Sequence, residues 1–159
     1  MELWDAYDRD GRKTGEVLRR GDPIPPGRYH LVAEVLLRHR DGTYLVMRRD
    51  PEKPYCPDMW EATAGGSALM GETAEQAARR ETLEETGMTV SALRQIYREV
   101  GDSYLFEYFA AETDCDKTAV TLQEGETTAY RWISAAELRE WIASDRVMHA
   151  RMLRSAEEL

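Results

Sequence analysis

Glu81, Glu84 and Glu85 stand at positions i, i+3 and i+4 of the run Arg-Arg-Glu-Thr-Leu-Glu-Glu-Thr-Gly. At 3.6 residues per turn that spacing places three carboxylates on one face of a helix. Like charges at such spacings repel and weaken a helix, so a counter-charge is expected. Hard oxygen donors at close quarters suit Mg²⁺ or Mn²⁺. The plainer alternative is a solvated acidic face, and the residues around the glutamates separate the two readings.

The elements that must position these carboxylates are legible on both sides. Thr73 followed by Gln76 has the form of a capping box, so a helix should begin just after Thr73. Gly87 suits the left-handed position that ends a helix. Ala74, Ala77, Ala78 and Leu83 offer a packing surface that would let the helix lie close to a sheet. Arg80 precedes Glu81 and stands four before Glu84, where it can hold or orient a carboxylate. Ahead of the helix, Gly65, Gly66 and Gly71 read as a glycine-rich loop whose backbone can approach a ligand closely.

At these residues the chain resembles the Nudix hydrolases. That family's signature asks for Gly, five residues, Glu, seven residues, then Arg-Glu-aliphatic-any-Glu-Glu-any-Gly-aliphatic. Gly66, Glu72, Arg80, Glu81, Glu84, Glu85, Gly87 and Met88 all fall in place. Thr82 departs from it, standing where an aliphatic residue is usual, and reads as a packing position outside the ligand set. The resemblance implies an α/β fold, a Nudix-type α/β/α sandwich with a mixed β-sheet. It also implies hydrolysis of a phosphoanhydride bond in a nucleoside diphosphate-linked or related diphosphate. Glu81, Glu84 and Glu85 would be the metal ligands, and Gly65 and Gly66 would lie against substrate.

Composition fits. A chain of 159 residues makes one domain with a real core, here 1–159, of which 1–27 read as an N-terminal hairpin and connector. The formal net charge of -9 argues against tracking nucleic acid or an anionic membrane, and an acidic protein acting on a phosphorylated small molecule needs a cation between them. Cys56 and Cys115 are far apart and form no Cys-x-x-Cys pattern, which reads as free thiols in a reducing, cytoplasmic setting. No signal peptide and no run of membrane-spanning length is visible. The chain is compatible with a homodimer.

Along the chain, residues 2–7 and 16–19 read as strands around the Asp8-Arg9-Asp10-Gly11 turn. Pro23, Pro25 and Pro26 stiffen the connector. The apolar run from His30 to Arg38 reads as a buried strand, with Asp41-Gly42 as its hairpin turn and Tyr44 to Met47 as its partner. Further strands are expected near 90–100, 104–110 and 129–133. Ser134 should cap a helix through about Ile142, and Ser144 could start a last amphipathic helix carrying Val147, Met148, Met152 and Leu153 inward.

The opening pattern Trp4-Asp5-x-Tyr7-Asp8, Thr14-Gly15, Arg20-Gly21 and Gly27-x-Tyr29-His30 is similar to the Nudix subgroup related to isopentenyl-diphosphate isomerases. The isomerase cysteine would fall on Gly65 and its metal-binding histidine on Ser67, and a later Glu-x-Glu would fall at Asp102, Ser103 and Tyr104. None of these can do that work, and only His30 survives of the isomerase metal set. Hydrolysis is therefore the expectation, with the isomerase and a non-catalytic ligand-binding domain as alternatives. The resemblance assigns the base that takes the attacking water's proton either to Glu81 or to a glutamate of a later loop, Glu124 or Glu126; taken singly, each of those two also reads as part of an acidic turn. Arg80 orients glutamates rather than touching substrate, while Arg48 and Arg49, ending a strand near the expected pocket, could bind phosphate. One of the pair reads equally well as a surface arginine. His30 reads as a structural histidine and His149 as exposed.

Overall fold

In the computed structural model, which describes residues 1–144, nine strands and two helices are seen. The helix expected to begin at Ser144, and His149, lie outside the described residues. An antiparallel hairpin, β1 (Leu3–Tyr7) and β2 (Lys13–Arg19), forms its own small sheet. The other seven strands form one mixed sheet: β3 (His30–His39), β4 (Thr43–Arg49), β5 (Trp60–Glu61), β6 (Thr63–Ser67), β7 (Arg94–Val100), β8 (Tyr104–Thr113) and β9 (Thr127–Ser134). The backbone order is β5-β4-β3-β8-β7, with β6 also paired to β3 and β9 to β4. Among the described strands only β3 and β8 run parallel, in an unbroken register from His30↔Tyr104 to His39↔Thr113.

Strand β3 is the axis of this sheet. It is buried on both faces, as its near-continuous apolar run foretells. Ala33, Val35 and Leu37 join Ala64, Leu105 and Phe109 beneath helix α1 (Ala74–Thr86), whose Ala77 and Ala78 are fully buried. Leu36 faces the other way with Tyr44, Val46 and Ile133, against Leu138 and Ile142 of helix α2 (Ala135–Ala143). The result is the α/β/α sandwich. Methyl side chains at Ala77 and Ala78 let α1 approach β3 and β6 closely. Leu83 does not share that surface: it is exposed, and Thr82 and Thr86 take the inward positions instead.

Both helices start as the caps require. Thr73 accepts from the Gln76 amide while Gln76 accepts from the Thr73 amide, and Ser134 and Glu137 repeat the exchange at α2. Gly87 ends α1 in the left-handed conformation. A second expectation fails beside that of Leu83. Gly65 and Gly66 are not in a loop but in β6, opposite Glu34 and Ala33 of β3.

Candidate active site

The glycines of β6 are needed for space rather than for unusual torsions. A Cβ on Gly66 would lie 2.6 Å from a Glu81 carboxylate oxygen, and one on Gly65 would lie 2.3 Å from the Ala33 carbonyl oxygen. Neither carries a positive φ. Strand and helix are thus pressed together where the signature glutamates lie, and the Glu81 carboxylate rests on the Gly66 backbone.

Arg80 organises the outer half of the site. Its Nε and Nη2 donate to the two oxygens of Glu72 at 2.8 and 2.9 Å, and Nη1 donates to Glu81 at 2.7 Å and Glu84 at 3.1 Å. Nη2 also reaches the Ser67 carbonyl at 3.1 Å. A planar guanidinium suits such a fork, and a lysine could not hold three carboxylates in fixed directions. Glu72 in turn accepts the Leu69 amide, 2.8 Å away, so the turn into α1 and the helix are locked through one arginine. Arg80 holds the Glu72 carboxyl below its ordinary range. The same guanidinium only partly opposes burial at Glu81, whose carboxyl stays raised.

The inner half is different. Glu85 is 8% exposed, and its carboxylate accepts the Gly65 amide at 3.1 Å. Burial pushes its carboxyl well above the ordinary range, and the neighbouring charges of Glu61, Glu81 and Glu126 push the same way. Glu61 accepts from Arg49 at 3.0 Å, and Glu126 is paired with Lys53. The Asp50 amide donates to the Glu126 carbonyl at 2.9 Å, bringing the loop after β4 against the loop before β9.

The expected site residues therefore divide. Arg80, Glu81, Glu84, Glu85, Gly65, Gly66, Arg49 and Glu126 share one region. Arg48 turns to the other face of β4 and pairs with Asp58 at 2.7 Å, and Glu124 is exposed on its turn. His30 is half-buried, stacked on Trp4 with ring centroids 4.5 Å apart and bonded to the Ser103 carbonyl; its partial burial lowers its pKa. Thr82, in place of an aliphatic residue, is fully buried and returns its hydroxyl to the Ala78 carbonyl at 2.7 Å. Glu61 and Lys53 escaped the sequence reading. The available signal was a lone carboxylate in the short stretch Trp-Glu-Ala-Thr-Ala.

A divalent cation fits the donor set. Glu85 and Glu81 are carboxylates raised by burial first and by neighbouring acidic charges second, and Glu84, 46% exposed in its side chain, reaches solvent beside them. Among the described residues no three His, Cys, Asp or Glu side chains are already gathered as a cage, so ligation would require the carboxylates to turn away from Arg80 or Gly65.

Residues 28–154 match the NUDIX domain model. An uncharacterized Nudix hydrolase of Listeria monocytogenes is 34% identical over 140 residues, covering 87% of this chain and 83% of that protein. A Streptomyces coelicolor isopentenyl-diphosphate Delta-isomerase is 32% identical over 93 residues, 58% of this chain and 47% of that protein. In fold, a Deinococcus radiodurans crystal structure superposes with a TM-score of 0.79 at 22% identity, covering 99% of this chain and 98% of that one.

Proposed function

Since the chain belongs to the NUDIX domain family and is a Nudix hydrolase, we propose that it hydrolyses a phosphoanhydride bond of a nucleoside diphosphate-linked or related small-molecule diphosphate with Mg²⁺ or Mn²⁺ as cofactor. The observation that carries the metal dependence is Glu85: a buried carboxylate pressed by Glu61, Glu81 and Glu126. Glu81, Glu84 and Glu85 would hold the cation, which when bound screens the diphosphate charge and acidifies a water. Arg80 keeps Glu81 and Glu84 aimed from one side, and the close packing of Gly65 and Gly66 keeps the helix against the strand. The attacking water gives its proton to a carboxylate as the phosphorus–oxygen bond breaks. Glu126 and Glu81 are the two candidates at the site; Glu124 lies outside it. Arg49, held by Glu61, is better placed than Arg48 to meet a phosphate.

Isomerisation of isopentenyl diphosphate is the rival chemistry, suggested by the isomerase-named relatives. Gly65 speaks against it. Any side chain there would collide with the Ala33 carbonyl and the Glu34 backbone, so the position that would need a reactive thiol is closed. The two free cysteines, Cys56 and Cys115, support a reducing, cytoplasmic setting. No described helix is long and apolar enough to cross a membrane.

The test is a screen of nucleoside di- and triphosphates, nucleotide sugars, dinucleotides and isoprenoid diphosphates with Mg²⁺, Mn²⁺ or a chelator. Metal-dependent release of phosphate or a nucleotide from one class supports the reading. Conversion of isopentenyl to dimethylallyl diphosphate, or hydrolysis that survives chelation, would overturn it.

A further inference from the structure

The loop that carries Glu72 is not held by α1 and β6 alone. The Met70 amide donates to the Leu3 carbonyl and the Gly71 amide donates to the Asp5 carboxylate, both at 2.8 Å. The same Asp5 oxygen accepts the Lys13 ammonium at 2.6 Å, across the hairpin. These contacts come from β1 and β2, which precede the residues matched by the family model, 28–154. The hairpin is itself anchored. Tyr7 and Tyr29 exchange backbone bonds, Trp4 stacks on His30, and Arg98 of β7 donates to the Asp10 carbonyl at its turn.

We propose that Asp5 is a positioning residue of the catalytic site, fixing through the Gly71 amide the loop whose Glu72 orients Arg80. The chain of contacts is continuous. Lys13 holds Asp5, Asp5 holds Gly71, and the next residue, Glu72, takes two bonds from Arg80 and one from the Leu69 amide. Arg80 then reaches Glu81 and Glu84. Gly71 itself sits at φ +92°, in the left-handed region. The turn is therefore defined by its partners and not by a preferred torsion of an ordinary residue. Without Asp5 the Gly71 amide returns to water, Glu72 gains freedom, and the guanidinium loses its fixed direction. Asp5 touches neither substrate nor metal in this scheme, and its side chain is only 19% exposed where it meets the loop.

The catalytic part of this inference rests on the hydrolase reading, while the brace itself does not. The test compares full-length Asp5→Ala, Asp5→Asn and Glu16→Ala. Glu16 lies on the same hairpin and pairs with Arg28 of the connector, away from the loop. Two readouts are taken: amide hydrogen exchange over residues 66–73, and kcat and KM on whichever diphosphate the screen identifies.

Removing one charge-assisted bond should speed exchange at 66–73 roughly tenfold in Asp5→Ala. Its kcat should fall about tenfold while KM moves less than about twofold, because orientation of the catalytic groups is lost and not ground-state binding. Asp5→Asn, whose amide oxygen can still accept from Gly71, should recover most of both. Glu16→Ala should change neither.

Wild-type exchange and turnover in Asp5→Ala would overturn the proposal, as would Glu16→Ala reproducing the losses, since a merely structural hairpin would respond alike to both. If no diphosphate is hydrolysed by the natural protein, the hydrolase reading fails. Faster exchange in Asp5→Ala would in that case still uphold the brace, and unchanged exchange would remove it as well.

Discussion

Two carboxylate groups lie side by side in this molecule and are treated in opposite ways. Glu72, Glu81 and Glu84 share one guanidinium, that of Arg80. Among the described residues Glu85 has a single backbone amide for company, and its neighbours Glu61 and Glu126 are paired with Arg49 and Lys53. The first group is fixed in direction by that guanidinium and works as a frame, though one positive charge does not balance three carboxylates and Glu81 stays raised. In the second, burial and repulsion make a negative charge costly, and that cost is what the proposed cation would relieve. Paired charges fix geometry; an underpaired charge is what a binding site can use.

The sharpest way to break this comparison is Glu85→Gln. Transition-state charge stabilisation by a metal is worth several kcal/mol, so turnover should fall by roughly 10²–10³-fold. The chelator-treated protein should meanwhile unfold at a higher temperature than wild type, because the amide can still accept from Gly65 and the repulsion is gone. Near-normal kcat in this variant would end the metal assignment.

Next in size is the base. If Glu126 accepts the proton, Glu126→Gln should lower kcat by about 10²-fold with metal affinity little changed, and Glu124→Gln should be silent. Should Glu126→Gln be silent while Glu81→Gln is severe, the helix supplies ligand and base together. Calorimetric titration with Mn²⁺ alongside steady-state kinetics distinguishes these outcomes.

Arg80→Lys probes the frame. A single ammonium cannot reproduce the fork, so the variant should lose on the order of 1–2 kcal/mol of unfolding free energy in urea and about tenfold in kcat. Equal loss in Arg80→Ala and Arg80→Lys would show that geometry matters more than charge. Full activity in Arg80→Lys would remove Arg80 from the scheme.

The smallest effect is in the pH dependence of the metal-free protein. Glu85 is raised in the folded state, so its contribution is fully present below its unfolded pKa, near the ordinary 4.5, and is lost as pH rises through the higher folded value. Glu72 is lowered, so its contribution is present above about the same 4.5 and is lost as pH falls through its folded value. Urea unfolding at several pH values should therefore show the advantage of Glu85→Gln over wild type growing with pH. The disadvantage of Glu72→Gln should shrink as pH falls. Parallel curves for all three proteins would mean that the two groups do not differ electrostatically.

Legibility in the sequence follows the range of the interactions. Helix α1 and its caps depend on contacts within four residues, so Thr73, Gln76 and Gly87 announced them, and the i, i+3, i+4 glutamates came with the helix. Strand β3 was visible because an unbroken apolar run has few other uses. Gly65 and Gly66 read as a ligand-approaching loop in the sequence because the reason for glycine there is a steric one supplied by β3 and by Glu81, more than ten residues away along the chain. Leu83 was misplaced for a related reason. The inward arc of α1 is chosen by the sheet, and it selects Thr82 and Thr86.

The sequence by itself determined the domain class, the helix that bears the acidic residues, and the identity of the arginine that serves them, because periodicity, caps and motif spacing are local. Only the tertiary structure decided which later glutamate meets Glu85, which of two adjacent arginines faces the site, and that Asp5 reaches the signature loop. Glu126 was chosen over Glu124 by the packing of one loop against another, and Arg49 over Arg48 by the alternation of faces along β4 together with the location of Glu61. These pairings join residues 12 to 66 positions apart. No local propensity encodes such a meeting; the shared sheet and the burial it enforces bring it about.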